Sequence, residues 1–218
     1  TDYLDAQGVE TIDLLIATHP HADHIGAMTD VLQDFEVKEF LMPDIPDEFQ
    51  PTTRLWEKLL TAVDEEGCAV TTAAPGREYS LGGGCVLTVL GPVGDYGDDY
   101  NNWSVVTRLV CGETSFLFMG DAEKDAENDI MSTGAELDSD VLKVGHHGSS
   151  TSSGKDFVAA VSPDDAVILC GAGNDYGHPH PETTELLEGM GVQIYRTDLD
   201  GTVVMKTDGG TIAVSTEK

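Results

Sequence analysis

Residues Thr18-His19-Pro20-His21-Ala22-Asp23-His24 (THPHADH) decide how the rest of this 218-residue chain is read. They follow Thr11 to Thr18 (TIDLLIAT), a short apolar run rich in β-branched residues that reads as a buried strand. After them Ile25, Met28, Val31, Leu32 and Phe35 recur at helical spacing, so a helix is expected from about Asp23 to Phe35. Three histidines and an aspartate within six residues form a dense set of metal ligands. His19 and His21 leave the strand end two residues apart and can point the same way. Asp23 and His24 fall at the start of the helix and can face a second ion beside the first. Imidazole and carboxylate suit Zn²⁺, with Mn²⁺ or Fe²⁺ as alternatives. Two ions about 3.5–4 Å apart can bind one hydroxide and clamp both oxygens of a displacement. A chance His-rich surface loop is the competing reading; the strand-loop-helix setting argues against it.

Two other strand ends carry the same kind of chemistry. Phe116-Leu117-Phe118-Met119-Gly120-Asp121 is an apolar strand that delivers one carboxylate, suited to bridge two cations. Asp121 can equally cap a helix beginning at Ala122. Val141-Leu142-Lys143-Val144-Gly145-His146-His147-Gly148-Ser149 is a strand that delivers a histidine pair. Ser149 to Ser153 can offer hydroxyl and N–H groups to a phosphate near the Lys155 helix, or serve only as a cap and loop. Lys143 and Lys155 flank this motif in a chain with few cations. His178, in Asn174-Asp175-Tyr176-Gly177-His178-Pro179, reads equally as a functional group or an exposed turn residue, and His180 reads as surface. Gly148 to Lys155 has the wrong spacing for a phosphate loop, and Ser152-x-x-Lys155 lacks partner motifs.

Elsewhere the pattern alternates. A short helix runs from Thr1 to Gln7, and Val37 to Met42 is a strand. Pro51 opens a helix that Gly67 closes. Strands dominate Cys68 to Met119, broken by a loop at Gly91–Asn102 and including a hairpin of Trp103–Cys111 with Thr114–Met119. Ala122–Met131, Lys155–Val161 and Pro181–Met190 are helical, and Asp165–Cys170 is a strand. Three short strands end the chain, with Asp198-Leu199-Asp200-Gly201 read as a hairpin turn rather than a calcium loop. One compact α/β domain over residues 1–218 is expected.

Charge narrows the function classes. The chain carries 40 Asp+Glu against 11 Lys+Arg, a formal −29. That excludes a protein that coats nucleic acid through a basic face, or docks on an anionic membrane. No apolar run is long enough to span a bilayer. The four cysteines (Cys68, Cys85, Cys111, Cys170) read as buried free thiols, with a Cys85–Cys111 disulfide open in an oxidising compartment.

With its H-x-H-x-D-H, the chain resembles the metallo-β-lactamase superfamily. More narrowly it is similar to the hydrolase domain of the ComEC competence proteins and their stand-alone secreted relatives. The matching stretches are THPHADHIGAM, NNWSVVTRL, FLFMGDAE, SDVLKVGHHGSSTSS, NDYGHPHPET and YRTDLDGTV, which span Thr18 to Val203. The resemblance implies an α/β (α+β mixed) four-layer αββα sandwich with the metals at the sheet edge, here without the family's first N-terminal strands and the aspartate they carry. It places His19, His21, Asp23 and His24 in the first metal motif, Asp121 as the bridge, and His146 or His147 as the last ligand, with His146 favoured where the strand ends. Asn101-Asn102-Trp103-Ser104 stand where many members carry another histidine ligand, so one metal is expected to be held more weakly or by water. Asn102, Ser104, Lys143, Ser149, Ser150 and His178 are the candidate substrate contacts, and Asp23, Asp121 and His178 the candidate catalytic groups.

The implied function is a metal-dependent hydrolase with two divalent ions, Zn²⁺ or Mn²⁺, and a bound hydroxide that attacks a phosphodiester. The implied substrate is nucleic acid, single-stranded DNA cut in connection with DNA uptake. Such a substrate would be bound weakly, because two cations and not a basic surface supply the positive charge. A hydrolase for a lactone, thioester or β-lactam is the first alternative, and an inactive binding module the second. A monomer is favoured. The resemblance implies an extracellular or cell-envelope setting, with a cytoplasmic one as the alternative.

Overall fold

The computed structural model covers residues 1–218. The first half runs α1 (Asp2–Ala6), β1 (Thr11–Ile12), β2 (Leu15–Ile16), α2 (Ala22–Ile25), α3 (Met28–Asp34), β3 (Glu36–Val37), β4 (Glu39–Met42), α4 (Arg54–Glu66) and β5 (Ala69–Thr72). Then come β6 (Glu78–Gly82), β7 (Cys85–Val89), β8 (Thr107–Cys111), β9 (Thr114–Phe118), α5 (Lys124–Ser132), β10 (Val141–Lys143), α6 (Lys155–Val161) and β11 (Asp165–Ile168). The last elements are α7 (Pro181–Gly189), β12 (Gln193–Arg196), α8 (Thr197–Asp200), β13 (Val203–Thr207) and β14 (Ile212–Thr216).

Four layers result. Seven strands form one sheet in the order β12-β11-β10-β9-β8-β7-β6. It is antiparallel from β6 to β9 and parallel from β9 to β12. Facing it are three smaller pieces: parallel β2-β4-β5, parallel β1-β3 and the antiparallel β13-β14 hairpin. The period of two along each strand sorts side chains to opposite faces. Leu117, Leu142, Ala166 and Ile168 join Ile130, Phe157, Val158 and Leu187 in the main core between the large sheet and its helices. Ala17 and Phe40 meet Ile25, Leu32, Trp56, Leu59 and Val63 in the core between the smaller sheet and α2–α4. Leu41, Ala73, Val89 and Val105 lie between the sheets. Phe116, Phe118, Val141, Lys143 and Val167 take the inner face, where with Val203 and Met205 they line an apolar groove of about 380 Å³. The β13-β14 hairpin is clasped at its tip, where Glu113 N donates to Gly209 O and the Thr114 and Thr207 hydroxyls lie 2.7 Å apart.

Several expected elements are redrawn. Thr11–Thr18 is two strands in two sheets, with Asp13 at the break paired to Lys38, which stands at the matching break between β3 and β4. The expected Asp23–Phe35 helix is two helices interrupted at Gly26-Ala27, where glycine weakens the helix. Thr53, not Pro51, starts α4: its hydroxyl accepts from Trp56 N at 3.2 Å, a side-chain cap that proline cannot provide. Asp198-Leu199-Asp200-Gly201 is no hairpin turn. Thr197–Asp200 is a helical turn, and β12 and β13 belong to different sheets. Of the four cysteines, Cys85 and Cys111 are cross-strand neighbours joined in a disulfide, while Cys68 and Cys170 are free and half-buried.

Candidate metal centre

Short, tightly turned segments at strand ends build the site. The chain leaves β2 and passes through Thr18 to His24 into α2. His19 is fully buried, with its Nδ1 3.3 Å from Ser104 Oγ and 3.2 Å from Thr18 Oγ1. Its Nε2 lies 3.1 Å from His21 Nδ1 and 3.8 Å from Asp121 Oδ2. Burial, with His24 beside it, pushes the His19 imidazole down to about 2, so it is neutral at pH 7. A neutral imidazole is the form that ligates a cation.

Asp121 follows β9 and is buried. Gly120 before it has φ +55°, and a Cβ there would meet Ser104 Oγ at 2.9 Å. The missing side chain lets the Asp121 N–H reach Ser104 Oγ, 2.9 Å away. Burial alone would raise the Asp121 carboxyl, but hydrogen bonds from His147 and His24 and the nearby Lys143 ammonium hold it well below the usual carboxylate range. Its Oδ2 lies 3.2 Å from His24 Nε2 and 3.3 Å from His147 Nε2. Its Oδ1 is buried with no hydrogen-bond partner, and Lys143 Nζ stands 4.0 Å off.

The histidine pair sits on a single 3₁₀ turn after β10, and both residues are left-handed, with φ 45° at His146 and 54° at His147. Non-glycine residues in this region store strain. Here the turn aims both rings toward Asp121. Gly148 after them also has positive φ, and its bare Cα admits Pro179, which a Cβ would meet at 2.6 Å. The sequence favoured His146 as the last ligand. In the structure His147 stands closer: its Nε2 is 3.2 Å from Asp23 Oδ2 and from His24 Nε2, and its Nδ1 donates to Leu169 O at 2.6 Å. Asp23, His24, Asp121 and His147 each bring one donor atom within 4.8 Å of the others. His146 Nε2 is 4.0 Å from Asp121 Oδ2, and its Nδ1 donates to Glu123 Oε1 at 2.9 Å. This imidazole–carboxylate pairing also orients histidine ligands of metals.

The orphaned Asp121 oxygen, the neutral buried His19 and the converging donor set fit divalent cations. His21, Asp23, Asn101, Asp121, His146 and His147 line a polar cleft of about 180 Å³, closed by Tyr176 and His178. A second cavity of about 370 Å³ adjoins it, floored by Leu169, Cys170 and Gly171.

The other candidate substrate contacts take different places. Asn102 is buried: its Oδ1 accepts from Glu123 N and Ala126 N and its Nδ2 donates to Asp99 Oδ2, so it braces the start of α5. Ser104 is buried and holds the Asp121 N–H, as above. Lys143 is half-buried behind Asp121, with its Nζ donating to Gly120 O at 3.0 Å, so it faces the carboxylate and not the cleft. Burial pushes its ammonium down, against the pull of Asp121 and Asp23. Ser149 is buried with its hydroxyl against Thr151 Oγ1. The Ser150 N–H donates to His180 Nδ1 at 3.0 Å, so His180 is a brace between loops and not surface decoration. His178 lies in the cleft wall, its ring centroid 5.5 Å from that of His146. Burial and the neighbouring histidines lower its imidazole.

Residues the sequence reading passed over complete the surround. Glu123 also accepts from Thr151 Oγ1 at 2.9 Å; a carboxylate two residues after Asp121 was its only signal. Glu127 is buried and accepts Ser153 N at 2.5 Å and Gly154 N at 2.9 Å, which anchors the serine loop. Burial raises its carboxyl to about 7, against these two N–H donors.

Residues 2–172 match the metallo-beta-lactamase superfamily. The chain belongs to that superfamily. Among curated proteins it is 35% identical over 201 residues to ComE operon protein 3 of Bacillus subtilis (strain 168), which covers 92% of this chain and 25% of that protein. It is 40% identical over 104 residues to competence protein ComA of Neisseria gonorrhoeae, covering 47% of this chain and 15% of that one. The metallo-β-lactamase chain thus spans about a quarter or less of the length of these relatives. Among solved structures, CmlA, a diiron β-hydroxylase from Streptomyces venezuelae, superposes with a TM-score of 0.60 at 18% identity, over 86% of this chain and 44% of that one. That likeness carries the fold alone.

Proposed function

We propose that this superfamily member is a metal-dependent phosphodiesterase that cuts single-stranded DNA, using two divalent cations, Zn²⁺ or Mn²⁺. The observation that carries the reading is the convergence of Asp23, His24, Asp121 and His147 donors within 4.8 Å. These four would hold one cation. His19, His21 and Asp121 would hold the other, with His146 in place of the histidine absent between His24 and His146. Such cations supply Lewis acidity and positive charge at a phosphoryl centre.

The chain's own groups prepare that centre. Ser104 fixes the Asp121 backbone, Leu169 O fixes the His147 ring, and Glu123 fixes that of His146. Lys143 balances the buried carboxylate from behind. His178 lines the cleft and is tied to Asn174 only through its backbone, so its ring is free to exchange a proton with a substrate oxygen. The competence relatives support DNA as substrate. The Cys85–Cys111 disulfide supports an oxidising setting outside the cytoplasm, and no helix is long and apolar enough to cross a membrane.

The apolar floor of the larger cavity is what a lactone or thioester hydrolase would need, so that second reading has one observation in its favour. The test is metal analysis of the purified protein, with turnover of labelled single-stranded DNA and bis-p-nitrophenyl phosphate, wild type against Asp121→Ala. Bound metal and a fall of about 100-fold or more in the variant are expected. No turnover with Mn²⁺ or Zn²⁺ sinks the phosphodiesterase reading, and unchanged turnover in the variant sinks the site assignment.

A further inference from the structure

The cavity beside the polar cleft lacks an assigned occupant. Its outer wall is Tyr176, the most exposed of the large apolar side chains at 78%. A lone exposed aromatic needs no explanation, but this one is placed. Its ring is nearly parallel to His178, at 5.7 Å and 18°. His178 is nearly parallel to His147, at 6.2 Å and 21°. Three rings thus step from solvent to the His147–Asp121 contact, and the last is left open. Tyr176 borders both cavities, so a group stacked on it lies next to whatever occupies the cleft.

The loop that presents Tyr176 is held firmly. Asn174 Oδ1 accepts from His178 N at 3.0 Å, and Asn174 Nδ2 donates to His178 O and Gly171 O at 2.7 and 2.9 Å. Those bonds occupy the Asn174 amide in the wall of the larger cavity, and the Thr197 hydroxyl there is bonded to Cys170 O. What remains, away from the Asp23, His147 and His178 side chains shared with the polar cleft, is an aromatic face and an apolar floor. No lysine or arginine lines either cavity. A polyanion held here gains nothing from ion pairs to side chains.

We propose that Tyr176, with the Leu169–Cys170 floor, is a stacking subsite for the nucleobase adjoining the phosphodiester in the cleft. The proposal rests on the phosphodiesterase reading above and names how the strand is held. Every base has a π-face, so such a platform is sequence-tolerant and favours purines through stacking strength alone. It also needs an unpaired base, which selects single strands.

The test compares oligonucleotides of one length, base-bearing against abasic, with the Mn²⁺-loaded protein and its Tyr176→Ala and Tyr176→Trp forms. KM for cleavage and Kd by fluorescence anisotropy are both read. Wild type should take the base-bearing strand about 5- to 150-fold better. Tyr176→Ala should bring that ratio close to one, and Tyr176→Trp should keep it. A ratio near one in wild type, or one unchanged in Tyr176→Ala, overturns the subsite. Absence of cleavage of every strand defeats the phosphodiesterase reading instead. The Kd ratios then decide the subsite: a base preference lost in Tyr176→Ala upholds it, and equal Kd values overturn it.

Discussion

At the scale of single residues, Glu127 shows how a buried acid can hold a loop and still oppose the fold. Ionised, it is the better acceptor for the Ser153 and Gly154 N–H groups, yet burial lifts its carboxyl from 4.5 to about 7. The folded protein therefore holds this proton more tightly than the unfolded chain. The stability contributed is full below pH 4.5 and is lost as pH rises through about 7. At most about 3 kcal/mol is involved. Urea denaturation at pH 5 and pH 8 should show wild type losing stability with rising pH, with a flatter profile for Glu127→Gln. An identical slope in both proteins would remove Glu127 as the cause.

At the scale of elements, α4 depends on both of its ends. Thr53 caps the first turn and Gly67, at φ 70°, closes the last. Thr53→Ala should lower unfolding free energy by about 1 kcal/mol, seen as a shift of the urea midpoint with unchanged slope. A midpoint within error of wild type would show that the cap is replaced by water. This helix also shows where sequence reading stops. Its apolar spacing was plain, but Pro51 and Thr53 both look like starts, and only the backbone at Thr53 decides. The same holds for Thr11–Thr18: apolar periodicity marks a strand but not its partner, so the switch between sheets at Asp13 could not be read. Within the site, His19 to His24 were legible because the donors are adjacent in the chain. That His147 stands nearer than His146 to Asp23 was not, since it follows from two left-handed residues. Tyr176 was hidden because a loop aromatic acquires meaning only from the rings it meets.

At the scale of the whole molecule, 40 acidic groups against 11 basic ones make the folded state repel itself. Salt screens that repulsion, with a Debye length near 8 Å at physiological ionic strength. Thermal unfolding should therefore move up by a few degrees between low and moderate NaCl, followed by differential scanning fluorimetry. A Tm that falls with salt would mean that attractive pairs, such as Arg196–Asp198 at 2.7 Å, outweigh the excess.

The β13-β14 hairpin has a consequence in the order of synthesis. Phe116, Phe118, Val141 and Val167 are made well before Val203 and Met205, which face them across the groove. The clasp between Glu113 and Gly209 joins positions far apart in the chain. On the ribosome, the strands that carry Asp121 and His147 can pair while their inner apolar face still lacks the hairpin. During that interval the nascent chain displays an aliphatic and aromatic surface of the kind chaperones hold. The hairpin narrows it to a groove on arrival, so a stall in translation before residue 203 would leave a chain with every candidate ligand in place and its inner face still uncovered.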